Sequence, residues 1–278
     1  MKKTITLSLA ILMTLITTLI LYSFEKGDTR FEEEAEEYVV VRKWELPDQL
    51  KEISGIDWLG NDKIAAVQDE NGIIFIYDLK KKAIEEQINF GEGGDYEGIR
   101  ISGNTAYVLR SDGTIFEVRD FQNEQPQTSQ IKTYLAGQKG MDVEGLGLEK
   151  ANKRLLLGVK ENKKVKDSRG VYAYDLQNGE SDKEPVFAVN TSDPIFEKGE
   201  FHPSEIEVNP TTGEYYILDA ENFQLLITDP EGLPKKLHKL DKKEFGKPEG
   251  LSFTPEGTLY ISNEADDSPA NILQVELK

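Results

Sequence analysis

The chain has 278 residues, with 51 acidic side chains against 33 basic ones and a formal net charge of −18. That balance excludes the basic footprint a nucleic-acid partner needs, and it suits cation binding or plain solubility. The absence of cysteine excludes disulfides, thiolate metal sites, a cysteine nucleophile and a cysteine-linked lipid anchor, while His202 and His238 alone are too few for a multi-histidine zinc site.

The first element is apolar. Lys2 and Lys3 precede Thr4 to Phe24, a stretch without charge. As a helix it spans about 30 Å, the thickness of a hydrocarbon core. A cleavable signal peptide has a shorter apolar region and ends in small residues; this run ends Leu21-Tyr22-Ser23-Phe24. Residues 1–24 therefore read as an uncleaved, single-pass anchor in the plasma (inner) membrane, with cleavage and a secreted or periplasmic product as the alternative. The two lysines hold the amino end in the cytoplasm, which places the rest of the chain in the extracytoplasmic (periplasmic) space. Residues 25–37 are polar and acidic and read as a solvated stalk. Residues 38–278 form the remaining domain.

Tyr38 to Leu46, "YVVVRKWEL", predicts a strand. Five similar copies then follow, at 53–79, 96–120, 143–176, 203–229 and 248–277. Each has a short apolar strand, a turn of Gly, Asn, Asp or Pro, a second apolar strand ending in a polar cluster, and a third that alternates. Three copies open on the same triplet, in "DYEGI", "DVEGL" and "KPEGL". Taking Ser54, Glu97, Glu144, Ser204 and Glu249 as equivalent, the copies lie 43, 47, 60 and 45 residues apart. A unit of this length with three visible strands and room for a fourth is a propeller blade. The expected fold is all-β, a five-bladed β-propeller; a sixth, degenerate blade inside the 60-residue interval is the alternative. The last copy has only three strands, so Tyr38 to Leu46 is expected to supply its fourth and remove the open edge.

The order "SGI…DE", "GDYEGI", "EGL…KE", "PSEI…ILD.E" and "PEGL.F…LYISNE" resembles the SdiA-regulated protein family. The resemblance covers residues 38–278, and the apolar amino terminus fits it too. It implies a membrane-anchored protein of the bacterial envelope, distantly related to NHL-repeat propellers, with five blades, a bound calcium ion and no established activity. Copy four departs from the pattern, with Ser204-Glu205-Ile206 in place of the glycine-bearing triplet.

In a propeller the first strand of each blade lines the central channel, so Glu97, Glu144 and Glu249 are expected to converge. Carboxylates gathered without a cation repel one another or take up protons. Calcium takes six to eight oxygen ligands, and a ring of glutamates with Ser54 and Ser204 between them suits it. The competing reading has these glutamates opening strands at solvent and wet. A second set ends the second strands: Asp69 and Glu70, Lys160 and Glu161, Asp219 and Glu221, Asn263 and Glu264. With Ser54, Ser204 and Glu205, these acids are expected at the rim or behind the ligands, unless they serve only as hairpin-turn residues. Trp58, Tyr107, Tyr172 and Tyr260 are expected between blades. No phosphate-binding loop, EF-hand spacing or nucleophile elbow occurs. Two functions follow. One is an anchored, calcium-binding module whose rim takes a small molecule or a protein. The other is a metal-dependent esterase, lactonase or phosphoesterase, which needs an open coordination position and a base beside it.

Overall fold

Most neighbouring strands are joined by hairpins, and the result is five antiparallel sheets. The computed structural model describes residues 37–196 and 200–278. Blade 1 is β2 (Ile53–Gly60), β3 (Lys63–Gln68), β4 (Ile73–Asp78) and β5 (Ala83–Asn89). Blade 2 is β6 (Tyr96–Ser102), β7 (Thr105–Arg110), β8 (Thr114–Arg119) and β9 (Gln127–Lys132). Blade 3 is β10 (Met141–Glu149), β11 (Arg154–Asn162) and β12 (Ser168–Asp175), with a divided outer edge, β13 (Glu180–Ser181) and β14 (Phe187–Asn190), both paired with β12. Blade 4 is β15 (Pro203–Val208), β16 (Tyr215–Asp219), β17 (Gln224–Thr228) and β18 (Pro234–Lys239). A single helical turn, α1 (Lys242–Phe245), leads to blade 5, which is β19 (Lys247–Phe253), β20 (Leu259–Glu264) and β21 (Asn271–Leu277).

The fourth strand of blade 5 is β1 (Tyr38–Glu45), antiparallel to β21 with Tyr38 opposite Leu277 and Glu45 opposite Asn271. The ring is closed as the incomplete last copy requires, and the blades number five. The long interval between copies three and four holds the divided outer edge of blade 3 and not a sixth blade. The amino-terminal anchor and nearly all of the acidic stalk lie outside the described residues; among the described residues no helix is long and apolar enough to cross a membrane.

The core is a ring of five layers, one between each pair of neighbouring blades. Period two in the middle strands explains it, since successive side chains point to opposite faces. In blade 1, Ile64 and Ala66 with Phe75 and Tyr77 face blade 5, while Ala65 and Val67 with Ile74 and Ile76 face blade 2. Both faces are buried, so these strands are apolar throughout. The aromatics sit between blades as expected: Trp58 of blade 1 stacks on Tyr260 of blade 5 at 5.3 Å. Trp44 of β1 is buried in the same layer, and its Nε1 donates to the Leu79 carbonyl at 2.9 Å.

The inner strands, β2, β6, β10, β15 and β19, surround the channel, each touching the next. Each carries a β-bulge at the same place. The register jumps past Ser54 and Gly55 in β2, Glu97 in β6, Glu144 in β10, Ser204 in β15 and Glu249 in β19. A bulge leaves one residue out of the ladder and re-aims its side chain. The five positions aligned from sequence are thus one structural position repeated around the ring. The following glycine lets adjacent inner strands touch. A Cβ on Gly55 would stand 2.6 Å from the Gly98 Cα, one on Gly98 2.6 Å from the Leu146 Cβ, and one on Gly250 2.4 Å from the Ser54 carbonyl oxygen.

Candidate functional site: an acidic mouth and a plugged channel

The bulges lie where the inner strands begin, so their side chains gather at one mouth of the channel. Glu144 is buried there, while Glu97 and Glu249 are partly open. Burial, then Glu144, Asp95 and Glu249, push the Glu97 carboxyl up to about 10. Burial pushes Glu144 up to about 8 against the pull of Lys160, with Glu249 and Asp142 adding to the rise. Burial also raises Glu249, opposed by Lys247 and Lys160. Three glutamates from blades 2, 3 and 5 therefore feel one another's charge, and each holds its proton more tightly than an ordinary carboxyl.

Two lysines counter part of that charge. Lys160 Nζ lies 2.9 Å from Glu144 Oε1 and 3.4 Å from Glu221 Oε1. Lys247 Nζ lies 3.4 Å from Glu249 Oε1 and pairs closely with Glu264. Among the described residues, no three acidic or histidine side chains stand close enough together, as placed, to enclose a metal ion. The donors are all hard oxygens, which suits calcium. Enclosure requires Glu144 and Glu249 to turn from their lysines.

The wider set divides. Asp69, Glu221 and Glu264 border the same mouth. Asp69 is raised by burial and by Glu52, Glu70 and Asp95, and its buried Oδ1 accepts no hydrogen bond. Burial lifts Glu264 to about 7. Glu70 and Glu161 are exposed. Ser54 offers its backbone carbonyl, which accepts from Ser262 Oγ at 3.0 Å. Ser204 and Asp219 are committed to their own hairpin: Ser204 Oγ donates to the Leu218 carbonyl at 3.3 Å, and Asp219 accepts from the backbone N–H groups of His202 and Asn222 at 3.1 and 3.0 Å. Asp219 Oδ2 also accepts from Asn222 Nδ2 at 3.0 Å, which is turn chemistry.

Glu205 points elsewhere. It fills the glycine place of copy four, is fully buried, and its Oε1 accepts from the backbone N–H of Leu146 at 2.8 Å and of Ile206 at 2.9 Å. It also lies 3.2 Å from Arg100 Nη2. Arg100 is buried where four blades meet. From blade 2 its Nη1 donates to the Ile56 carbonyl of blade 1 at 2.9 Å. Its Nη2 donates to Ile206 of blade 4 at 2.9 Å and to Leu251 of blade 5 at 3.2 Å. Its Nε pairs closely with Glu207. Beside it, Asp57 accepts from the Ile101 N–H at 2.7 Å and from Ser252 Oγ at 3.1 Å. This buried polar layer plugs the channel. Sequence reasoning missed Asp57, Arg100, Glu207 and Ser252, although the signal was present: each stands three residues after its blade's Ser54, Glu97, Ser204 or Glu249, the place Gly147 takes in blade 3.

A closed ring of five antiparallel sheets, four of four strands and one with a divided outer edge, around a plugged channel defines a five-bladed β-propeller. The sequence pattern of the SdiA-regulated family matches residues 33–267, and the chain belongs to that family. No curated protein matches it in sequence. Among solved structures it is similar to a glutaminyl cyclase from Myxococcus xanthus, with a TM-score of 0.61 and 13% identity over 87% of this chain and 96% of that one. The aldose sugar dehydrogenase of Streptomyces coelicolor, bound to PQQ, aligns with a TM-score of 0.56 and 14% identity over 87% and 98%. Regucalcin of Agrobacterium tumefaciens, a calcium-binding protein, aligns with a TM-score of 0.50 and 10% identity over 81% and 91%. Likeness at this identity is likeness of fold, which does not carry function.

Proposed function

We propose that this protein is a non-catalytic binding propeller whose acidic mouth takes calcium, with Glu97, Glu144 and Glu249 as its carboxylate donors. The observation that carries the reading is the repeated bulge: three blades place a glutamate at one structural position, where burial and mutual repulsion make the ionised state costly. A divalent cation offsets that cost. The strongest charged influences on Glu97 are Glu144, Asp95 and Glu249, all acids, so it is the natural first donor. Lys160 and Lys247 hold the other two glutamates in the cation's absence, as built-in counter-ions. Bound calcium would draw the loops at this mouth together and leave its outer side to a small molecule or a protein.

A ligand that binds only the folded state stabilises it by about 2.7 kcal/mol at a hundredfold excess over its Kd. Calcium should raise the melting temperature of the full-length chain, and a chelator should reverse the rise. Glu144→Gln should remove most of the response while leaving the chelated protein as stable or more so. Identical calcium responses in the two proteins would refute the shared site.

A further inference from the structure

Behind the plug, at the end of the channel away from the glutamates, lies a cavity of about 460 Å³. That is within the range of small-molecule sites, roughly 300–1,000 Å³. Its rim comes from the first hairpin turns of blades 3, 4 and 5. Its walls are Leu148, Val208, Pro210, Phe253 and Pro255, and its floor is the polar layer itself, through Asp57, Arg100 and Glu207. A dry wall above a few fixed polar groups is the usual make-up of a ligand pocket.

The floor is not neutral. The layer holds one guanidinium, Arg100, against three carboxyls, Asp57, Glu205 and Glu207. Arg100 is already engaged by Glu205, by Glu207 and by the carbonyls of Ile56, Ile206 and Leu251 on three other blades. Asp57 accepts hydrogen bonds from the Trp58 and Ile101 N–H groups and from Ser252 Oγ, and both it and Glu207 feel the charges of Arg100 and, more weakly, Lys150. Lys150 also lines the cavity but is exposed at its mouth. The floor therefore carries an excess of acid below apolar walls. Burial raises both Asp57 and Glu207 against the pull of Arg100, so a further cation placed over them gains by restoring their charge.

We propose that this cavity is a second ligand site, separate from the acidic mouth, for a small organic cation: an ammonium head over Asp57 and Glu207 with an apolar body against Leu148 and Phe253. Isothermal titration calorimetry on the full-length chain in detergent, with 2-phenylethylammonium as probe, tests it. 2-Phenylethanol and 3-phenylpropionate present the same body with a neutral or an anionic head. The ammonium should bind at least about tenfold more tightly than the alcohol, and the carboxylate more weakly still. Ala151→Trp, at an exposed position on the cavity's edge, should abolish binding without touching the core. Glu207→Gln should weaken it about tenfold, and Glu144→Gln at the other mouth should leave it unchanged. Because Glu207 is buried, Ala151→Trp is the deciding variant if Glu207→Gln does not fold. No binding of the ammonium, equal binding of the alcohol, tighter binding of the carboxylate, or unchanged binding by Ala151→Trp would each overturn the proposal.

Discussion

Glu205 shows how one side chain can stand where four other blades have glycine. Its carboxyl replaces the close strand contact by hydrogen bonds to Leu146 and Ile206 and an ion pair with Arg100. Burial is the leading cause that raises Glu205 to about 8 and Glu207 to about 7. Both folded values lie above the ordinary carboxyl value of about 4.3, so the folded state binds more protons than the unfolded one between them. The stability these groups contribute is complete below the ordinary value and is lost as pH rises through about 7 to 8. Thermal melts should therefore fall across that interval, and Glu205→Gln should flatten the fall; an equally steep fall in the variant would count against it. Glu97 and Glu144 act in the same direction, and the comparison with the variant separates them. The glutamates were legible because they recur beside glycine in three copies. The plug was legible only as a spacing, because its members differ in each blade: Asp57, Arg100, Gly147, Glu207 and Ser252 share a position and no chemistry.

At the level of elements, nearly everything was legible. Apolar runs of strand length, separated by turn residues, locate the blades, and the missing fourth strand of the last copy identifies β1 as the closing piece. What pattern alone does not supply is the bulge, since a one-residue jump in register leaves no mark in hydropathy. The divided outer edge of blade 3 was visible only as excess length. The closing strand is held by more than its ladder. Trp44 is buried among Leu50, Tyr77 and Ile272 and donates to Leu79, so it ties β1 to blade 1 as well as to blade 5. Trp44→Ala should cost about 3–5 kcal/mol in urea unfolding, the range for truncating a buried large aromatic. A cost near zero would mean that pairing with β21 alone seals the ring.

For the whole molecule, the excess of acid is unevenly used. Among the described residues, part of it is gathered on the channel, at one mouth and in the plug, while Asp78 and Asp219 are buried in hairpin turns and others, such as Glu70 and Glu161, are exposed. The uncharged run at residues 4–24 leads us to propose a membrane anchor, which is checked by intact-mass analysis of the protein isolated from membranes. The mass should include residues 1–24, whereas a mature form beginning near Glu25 would identify a cleaved signal. The pairing of β1 with β21 has a consequence for synthesis. Tyr38 leaves the ribosome long before its partner Leu277. The first blade strand made is the last to be satisfied, and the contact that completes the ring spans nearly the whole described sequence. Contacts so distant along the chain form slowly. A nascent chain that has not reached Asn271 must keep β1 waiting with its edge unpaired, exposed to other chains as much as to its own. The same seam that leaves the finished ring without an edge makes the unfinished one vulnerable, and it delays the native ring until β21 has been made.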